Sequence, residues 1–244
     1  MKPTARFSTR AGAYAAFRPT YPPEAISAAL EGLGDPASLT IADVGAGTGI
    51  SSRLLAERGV MVIAIEPNAA MREAALPHPH VSWHDGTAER TGLENASVDA
   101  VVTCQAFHWF ASAPAFAEFR RIARRRAAML QYERDERDRF TKAYGDVVRA
   151  FATDDTEALR ARALAAFAAF PGVRVSRSAY GSRQRLDRDA LLGRAASASY
   201  LPTSGARADA LRRDLAALFD RYARAGSVEL VMETHVLVAD WQND

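Results

Sequence analysis

Short apolar, β-branched runs alternate along this chain with stretches whose apolar residues recur every three or four positions. That alternation predicts a doubly wound α/β fold, a parallel sheet covered by helices on both faces. Leu39 to Val44 reads as the first buried strand, and Ser51 to Glu57, apolar at Leu54 and Leu55, as the helix after it. Val60 to Ile65 is the next strand, Ala69 to Ala75 a short helix stopped before Pro77, and Val81 to Trp83 and Val98 to Thr103 the third and fourth strands. Pro114 suits the first turn of a helix running to about Arg124, and Ala127 to Tyr132 makes a fifth strand.

From Glu133 to Phe170 the sequence turns charged and alanine-rich, with Phe140, Tyr144, Val147, Val148 and Phe151 at helical spacing. This predicts a helical insertion, residues 133–170, within one domain spanning residues 1–244. Val173 to Leu186 is extended again, Leu211 to Ala223 is an amphipathic helix, and Val228 to Trp241 alternates like a terminal strand pair.

Composition narrows the class. The 244 residues are 48% hydrophobic and 25% charged, the balance of a globular protein, and no apolar run approaches the roughly 20 residues that span a bilayer. Arg6, Arg10 and Arg18 interrupt the N-terminal stretch, which lacks the apolar core of a secretory signal, so a cytoplasmic location is expected. The single cysteine, Cys104, excludes an internal disulfide framework and a cysteine-rich zinc site, and no metal is expected. With 31 basic and 29 acidic residues the net charge is only +2, too small to drive non-specific nucleic-acid binding. The densest basic cluster, Arg120, Arg121, Arg124, Arg125 and Arg126, falls at the end of a predicted helix, where cations suit the dipole, and reads as a solvated face.

The most informative stretch is IADVGAGTGISSRLLAERG, a strand ending at Asp43 that passes through Gly45, Ala46, Gly47 and Gly49 into a helix. Glycines there let backbone approach a ligand, and the helix N-terminus favours an anionic group. A dinucleotide fingerprint would place its third small residue at Ile50, whereas this chain has Gly49, so NAD chemistry is disfavoured. About 20 residues on, at the end of the second strand, stands Glu66 in VIAIEPNAAM, with Pro67 and Met71 following. Its carboxylate either accepts hydrogen bonds from ribose hydroxyls, with Pro67 and Met71 beside an adenine, or simply starts the next helix.

In their order, four blocks resemble the class I S-adenosylmethionine-dependent methyltransferases, and within them a type 11-like small-molecule group carrying QAFHWF: YAAFRPTYPP, DVGAGTGISSRLLAERG, IEPNAAM followed by DGTAERTGL, and SVDAVVTCQAFHWF before AFAEFRRI. They cover most of residues 14 to 132. The resemblance implies a Rossmann-like, mostly parallel seven-stranded sheet with a C-terminal antiparallel strand and a helical cap. It implies S-adenosyl-L-methionine as cofactor, with Asp43 and the Gly45–Gly49 loop at its methionine portion, Glu66 at its ribose, and Thr87 and Ala88 bordering the adenine. Cys104 and Gln105 should lie beside it, and residues 1–30, with Tyr14, Arg18 and Tyr21, look like a flap over it or an anchor for the N-terminus.

Two departures accompany the resemblance. Relatives often carry an acid where Thr87 stands, for which Asp85 is a substitute, and a proline-glycine-glycine turn where Ala123 to Ala127 stand, which predicts a shortened loop. The asparagine-proline-proline-aromatic motif of nucleic-acid amine methylation is absent from CQAFHWF, so a small-molecule acceptor is expected and a nucleic-acid one is not. His108 is the candidate general base or orienting group, with helix capping or pocket lining as its structural alternative. Cys104 at a strand end reads as small packing rather than a nucleophile. Phe107, Trp109 and Phe110 either shape an apolar pocket or fill core. Methyl transfer by in-line displacement is the expected activity, and cofactor binding without turnover the alternative.

Overall fold

A computed structural model describes residues 19–241. Seven strands form one sheet: β1 (Thr40–Val44), β2 (Met61–Ile65), β3 (Val81–His84), β4 (Val98–Cys104), β5 (Ala123–Arg134), β6 (Val175–Leu186) and β7 (Val228–Asp240). Their order is β3-β2-β1-β4-β5-β7-β6. The first five run parallel, and β7 lies antiparallel between β5 and β6. The direction of winding reverses beside β1, which places a crevice at the carboxyl ends of β1 and β4, where ligands bind in open sheets of this kind.

The helices are α1 (Pro23–Leu30), α2 (Ile50–Ala56), α3 (Ala69–Glu73), α4 (Ala113–Ile122), α5 (Arg139–Phe151), α6 (Thr156–Ala168), α7 (Arg188–Ala196) and α8 (Gly205–Tyr222), with a 3₁₀ turn over Phe107–Trp109. Their starts follow from capping. Asp138, Asp155 and Asp187 accept hydrogen bonds from the backbone N–H groups of Thr141, Ala158 and Ala190, and Ser112 accepts one from that of Ala115.

Because side chains alternate along a strand, each buried strand feeds two core layers. Ile41, Ala100, Val102 and Leu130 join Ile26, Leu55, Val148 and Leu215 on one face; Ala42, Val44, Val101 and Met129 join Phe107, Phe119, Ile122 and Phe167 on the other. The helical sequence of residues 133–170 supplies one helix to each layer: Phe140, Tyr144 and Val148 of α5 to the first, Ala163 and Phe167 of α6 to the second.

Three expectations need correction. No loop of any length separates α4 from β5: the helix ends at Ile122 and the strand starts at Ala123, so Arg124, Arg125 and Arg126 are strand residues. Nor are they all solvated. Arg125 donates to the carbonyls of Leu33 and Gly32, and Arg126, 6% exposed, pairs with Asp240 and donates to the Glu31 carbonyl. Residues 228–240 form one 13-residue strand, not a pair: it is hydrogen-bonded to β5 on one side and β6 on the other, and its alternation reflects the two faces of the sheet. The helix α7 had no sequence expectation, since Leu191 and Leu192 are adjacent and are its only large apolar residues, which makes no helical stripe.

Candidate active site

The glycine loop leaves β1 at Val44 and reaches α2 at Ile50. Its path is tied to the neighbouring strand, since the N–H groups of Gly45 and Ala46 both donate to the Ile65 carbonyl, at 2.9 and 3.1 Å. Gly45 has φ +76, and a Cβ built on it would lie 2.6 Å from the Ala106 Cβ and 3.0 Å from a Phe110 ring carbon. Only glycine fits that position, on both conformational and steric grounds.

Asp43 is fully buried beneath the loop. Its Oδ2 accepts hydrogen bonds from the Ser51 and Ser52 hydroxyls, both at 2.6 Å, while Oδ1 is buried without a partner. Its carboxylate therefore ties the first turn of α2 to β1 from below. Burial raises the Asp43 carboxyl above its ordinary value, against those two hydroxyl bonds.

Glu66 emerges from β2 and reaches across to the loop. Its Oε2 accepts from the Gly47 N–H at 3.0 Å and its Oε1 from the Asn68 N–H at 2.9 Å. Asn68 in turn caps α3, which carries Met71. A carboxylate offers about four acceptor sites, so two remain for a ligand. Burial raises this carboxyl too, against the two backbone bonds and the nearby Arg72.

From β4 the chain makes a turn of a different kind. Gln105 adopts a left-handed conformation, φ 53, held by its N–H donating to the Leu130 carbonyl and its Nε2 donating to the Tyr132 carbonyl. Its Oε1 is buried with no protein partner. A 3₁₀ turn over Phe107–Trp109 follows.

These elements enclose a cavity of about 240 Å³. Nine of the residues proposed from sequence line it: Gly45 and Gly47, Glu66, Pro67 and Met71, Thr87 and Ala88, Cys104 and Gln105. Trp109 and Phe110 line it as well, whereas Phe107, 1% exposed, is core. Gly86, Glu89 and Ala106 also line it and were not picked out; the only signal for Ala106 was its smallness within an aromatic run. A second, small cavity of about 20 Å³ on the other side of Gly45 brings Ala46 and Tyr21 together with Cys104 and Tyr132.

The remaining positions stand apart. Gly49 and Asp43 shape the loop without lining either cavity, and Asp85 is an exposed carboxylate 3.5 Å from Arg72. His108 does not line the main cavity; its ring is buried and packs on Trp109 at 4.6 Å between centroids. Tyr14 and Arg18 lie outside the described residues. Burial pushes the Cys104 thiol well above its ordinary value, reinforced by the charge of Asp43, which keeps it protonated and unsuited to nucleophilic attack.

Residues 42–130, β1 through most of β5, match the model of a methyltransferase domain family. An uncharacterized methyltransferase of Mycobacterium tuberculosis is 39% identical over 147 residues, 58% of each chain. One from Schizosaccharomyces pombe is 34% identical over 122 residues, 48% of this chain and 47% of its own. The chain thus spans under two thirds of the length of these curated relatives. Among solved structures, a protein of Anaeromyxobacter dehalogenans provisionally named a type II methyltransferase superposes with a TM-score of 0.65 at 25% identity, covering 92% of this chain and 97% of the other. Residues 42–130 thus match a methyltransferase domain, and the sheet order and glycine loop around them agree with that match.

Proposed function

We propose that this protein transfers a methyl group from S-adenosyl-L-methionine to a small-molecule acceptor by in-line displacement. One observation carries the reading: a single cavity is lined by Glu66, whose carboxylate keeps two acceptor sites for a ligand, by a glycine loop with no room for a Cβ at Gly45, and by Gln105.

The residues divide the work. Glu66 has two acceptor sites left for ribose hydroxyls, Met71, Thr87 and Ala88 border the adenine, and Gly45 and Gly47 let the ligand lie against backbone. Gln105, Cys104, Ala46 and Tyr21 flank the methionine portion, with Asp43 fixing the loop from below. The cofactor, when bound, supplies a methyl group made electrophilic by its sulfonium.

His108 takes the acceptor's proton or orients the acceptor. Its buried ring packs on Trp109, which lines the cavity, and the nucleophile must approach the methyl from the side opposite the leaving sulfur. Alignment supplies most of the acceleration, an effective molarity of about 10⁵ M or more, and a base about 10²–10⁴-fold beyond that.

The purified protein is incubated with methyl-labelled cofactor and a low-molecular-weight cell fraction, and products are identified by mass spectrometry. A labelled small molecule formed together with S-adenosylhomocysteine supports the reading. Saturable cofactor binding without any product points to a binding protein, and absence of binding overturns the assignment.

A further inference from the structure

Behind the adenine-side wall lies an ion pair that the proposed reaction does not use. Glu118 of α4 is 7% exposed and Thr91, its partner across 27 residues, only 1%. The Glu118 Oε1 accepts from the Thr91 N–H at 2.8 Å, from the Thr91 hydroxyl at 2.6 Å and from Arg121 Nη2 at 2.8 Å; its Oε2 accepts from Arg121 Nε at 2.7 Å. Arg121 then returns to the same loop, donating to the Leu93 carbonyl and the Asn95 Oδ1, each at 2.7 Å.

That loop is the cavity wall. Thr87, Ala88 and Glu89 line the cavity, and a tight turn holds them, with Thr87 and Arg90 exchanging backbone hydrogen bonds of 3.1 and 3.2 Å. There is no slack between the turn and its base, since a Cβ on Gly86 would sit 2.7 Å from the Thr91 carbonyl oxygen. A shift of Thr91 is therefore felt at the wall. Exposed ion pairs contribute little, but this carboxylate is buried and every bond it accepts ends on, or returns to, one loop. Burial alone would raise Glu118, yet the bonds from Arg121 and Thr91 outweigh it and hold the group at about 2, ionised throughout the working range.

We propose that Glu118 is a positioning residue for cofactor binding, fixing through Thr91 the turn that forms the adenine-side wall. The inference rests on the reading that this cavity holds the adenosine portion of S-adenosylmethionine. The test uses the full chain as wild type, Glu118→Gln, Thr91→Val, Thr91→Ser and the double variant Glu118→Gln/Thr91→Val, with S-adenosylhomocysteine and 5′-methylthioadenosine titrated by calorimetry and the unliganded melting temperature measured alongside. Glu118→Gln should weaken both ligands by about tenfold, and the double variant should be no weaker, as expected of residues acting through one contact. Thr91→Val should weaken both as well, and Thr91→Ser, which keeps the donor, should restore wild-type affinity. Equal loss for both ligands is the signature of a moved adenine wall.

Variants that melt earlier but bind with wild-type affinity would overturn the proposal and leave a purely structural pair, as would additive losses in the double variant. Should Glu118→Gln not fold, Thr91→Val against Thr91→Ser reads the same contact. Failure of the wild type to bind either ligand would sink the cavity assignment itself, whereas wild-type binding with an indifferent Glu118→Gln sinks only this inference.

Discussion

Replacing Gly45 with alanine tests the loop at its tightest point. Two costs follow from the geometry. A left-handed conformation costs a non-glycine residue about 1–2 kcal/mol. The new Cβ, 2.6 Å from the Ala106 Cβ and 3.0 Å from Phe110, meets packed side chains, and overpacking of that kind costs about 1–3 kcal/mol. Reduced freedom of the unfolded chain returns about 0.4–1 kcal/mol, so Gly45→Ala should lose roughly 1–4 kcal/mol of stability as well as ligand affinity. Gly47→Ala should behave differently, because its Cβ meets only the flexible end of Met71, at 3.3 Å. It carries the conformational cost and loses affinity with little further loss of stability. Urea unfolding and calorimetric titration with S-adenosylhomocysteine separate the two effects. The double variant Gly45→Ala/Ala106→Gly should recover the packing part and not the conformational part. An unchanged urea midpoint for Gly45→Ala, or no recovery from Ala106→Gly, would refute the steric argument.

Three further outcomes are expected. Glu66→Gln should weaken S-adenosylhomocysteine by about 1.5–3 kcal/mol. Because burial raises this carboxyl, its protonation favours the fold below the ordinary value of 4.5, and that contribution is lost as pH rises through the raised value. The unliganded Glu66→Gln protein should therefore gain stability relative to wild type from pH 4.5 upward, while wild-type affinity rises over the same window; identical pH profiles for ligand binding would remove Glu66 from the site. His108→Ala should reduce turnover far more than cofactor affinity, and if the imidazole is the base, the acidic limb should vanish from the rate profile. Unchanged turnover on the natural acceptor would leave His108 a packing residue. Arg126→Met should destabilise the fold in urea unfolding, by at most about 3–5 kcal/mol, since it removes the buried cation paired with Asp240 and the donor to the Glu31 carbonyl, and Asp240→Leu in the same chain should recover the part due to the pair.

The central strands were legible because each is buried on both faces. Ile41 and Ala42 go to different layers, so apolar residues run on without a break, as they do through Val62 to Ile65 and Ala100 to Val102. The C-terminal strand alternates because its two faces are unequally buried, and alternation alone does not say whether a run pairs with itself or, as here, with the distant β5 and β6. The arginines after α4 misled because charge is a poor guide to exposure where carbonyls and a carboxylate wait to receive it. Glu31, Gly32 and Leu33 are more than 90 residues away along the chain and invisible to any local pattern.

The same distinction governs the site. Residues that line the cavity sit at strand ends whose spacing the ligand dictates, so Glu66, nineteen residues after Gly47, could be found by counting. Side chains that hold those residues in place obey no such spacing. Asp43 reads as a ligand-facing acid from its place beside the glycines, yet both serine bonds come from the helix below, and a DVG…SS pairing eight and nine residues apart is the signal that was there to use. Glu118 and Thr91 carry no local signal: an acid on an amphipathic helix and a threonine in a polar loop are each ordinary, and only the fold brings them within 2.6 Å. Sequence spacing thus reports the residues that line the cavity, and the geometry behind them must come from structure; a variant series confined to the glycine loop and Glu66 would leave the proposed role of the Glu118–Thr91 contact untouched.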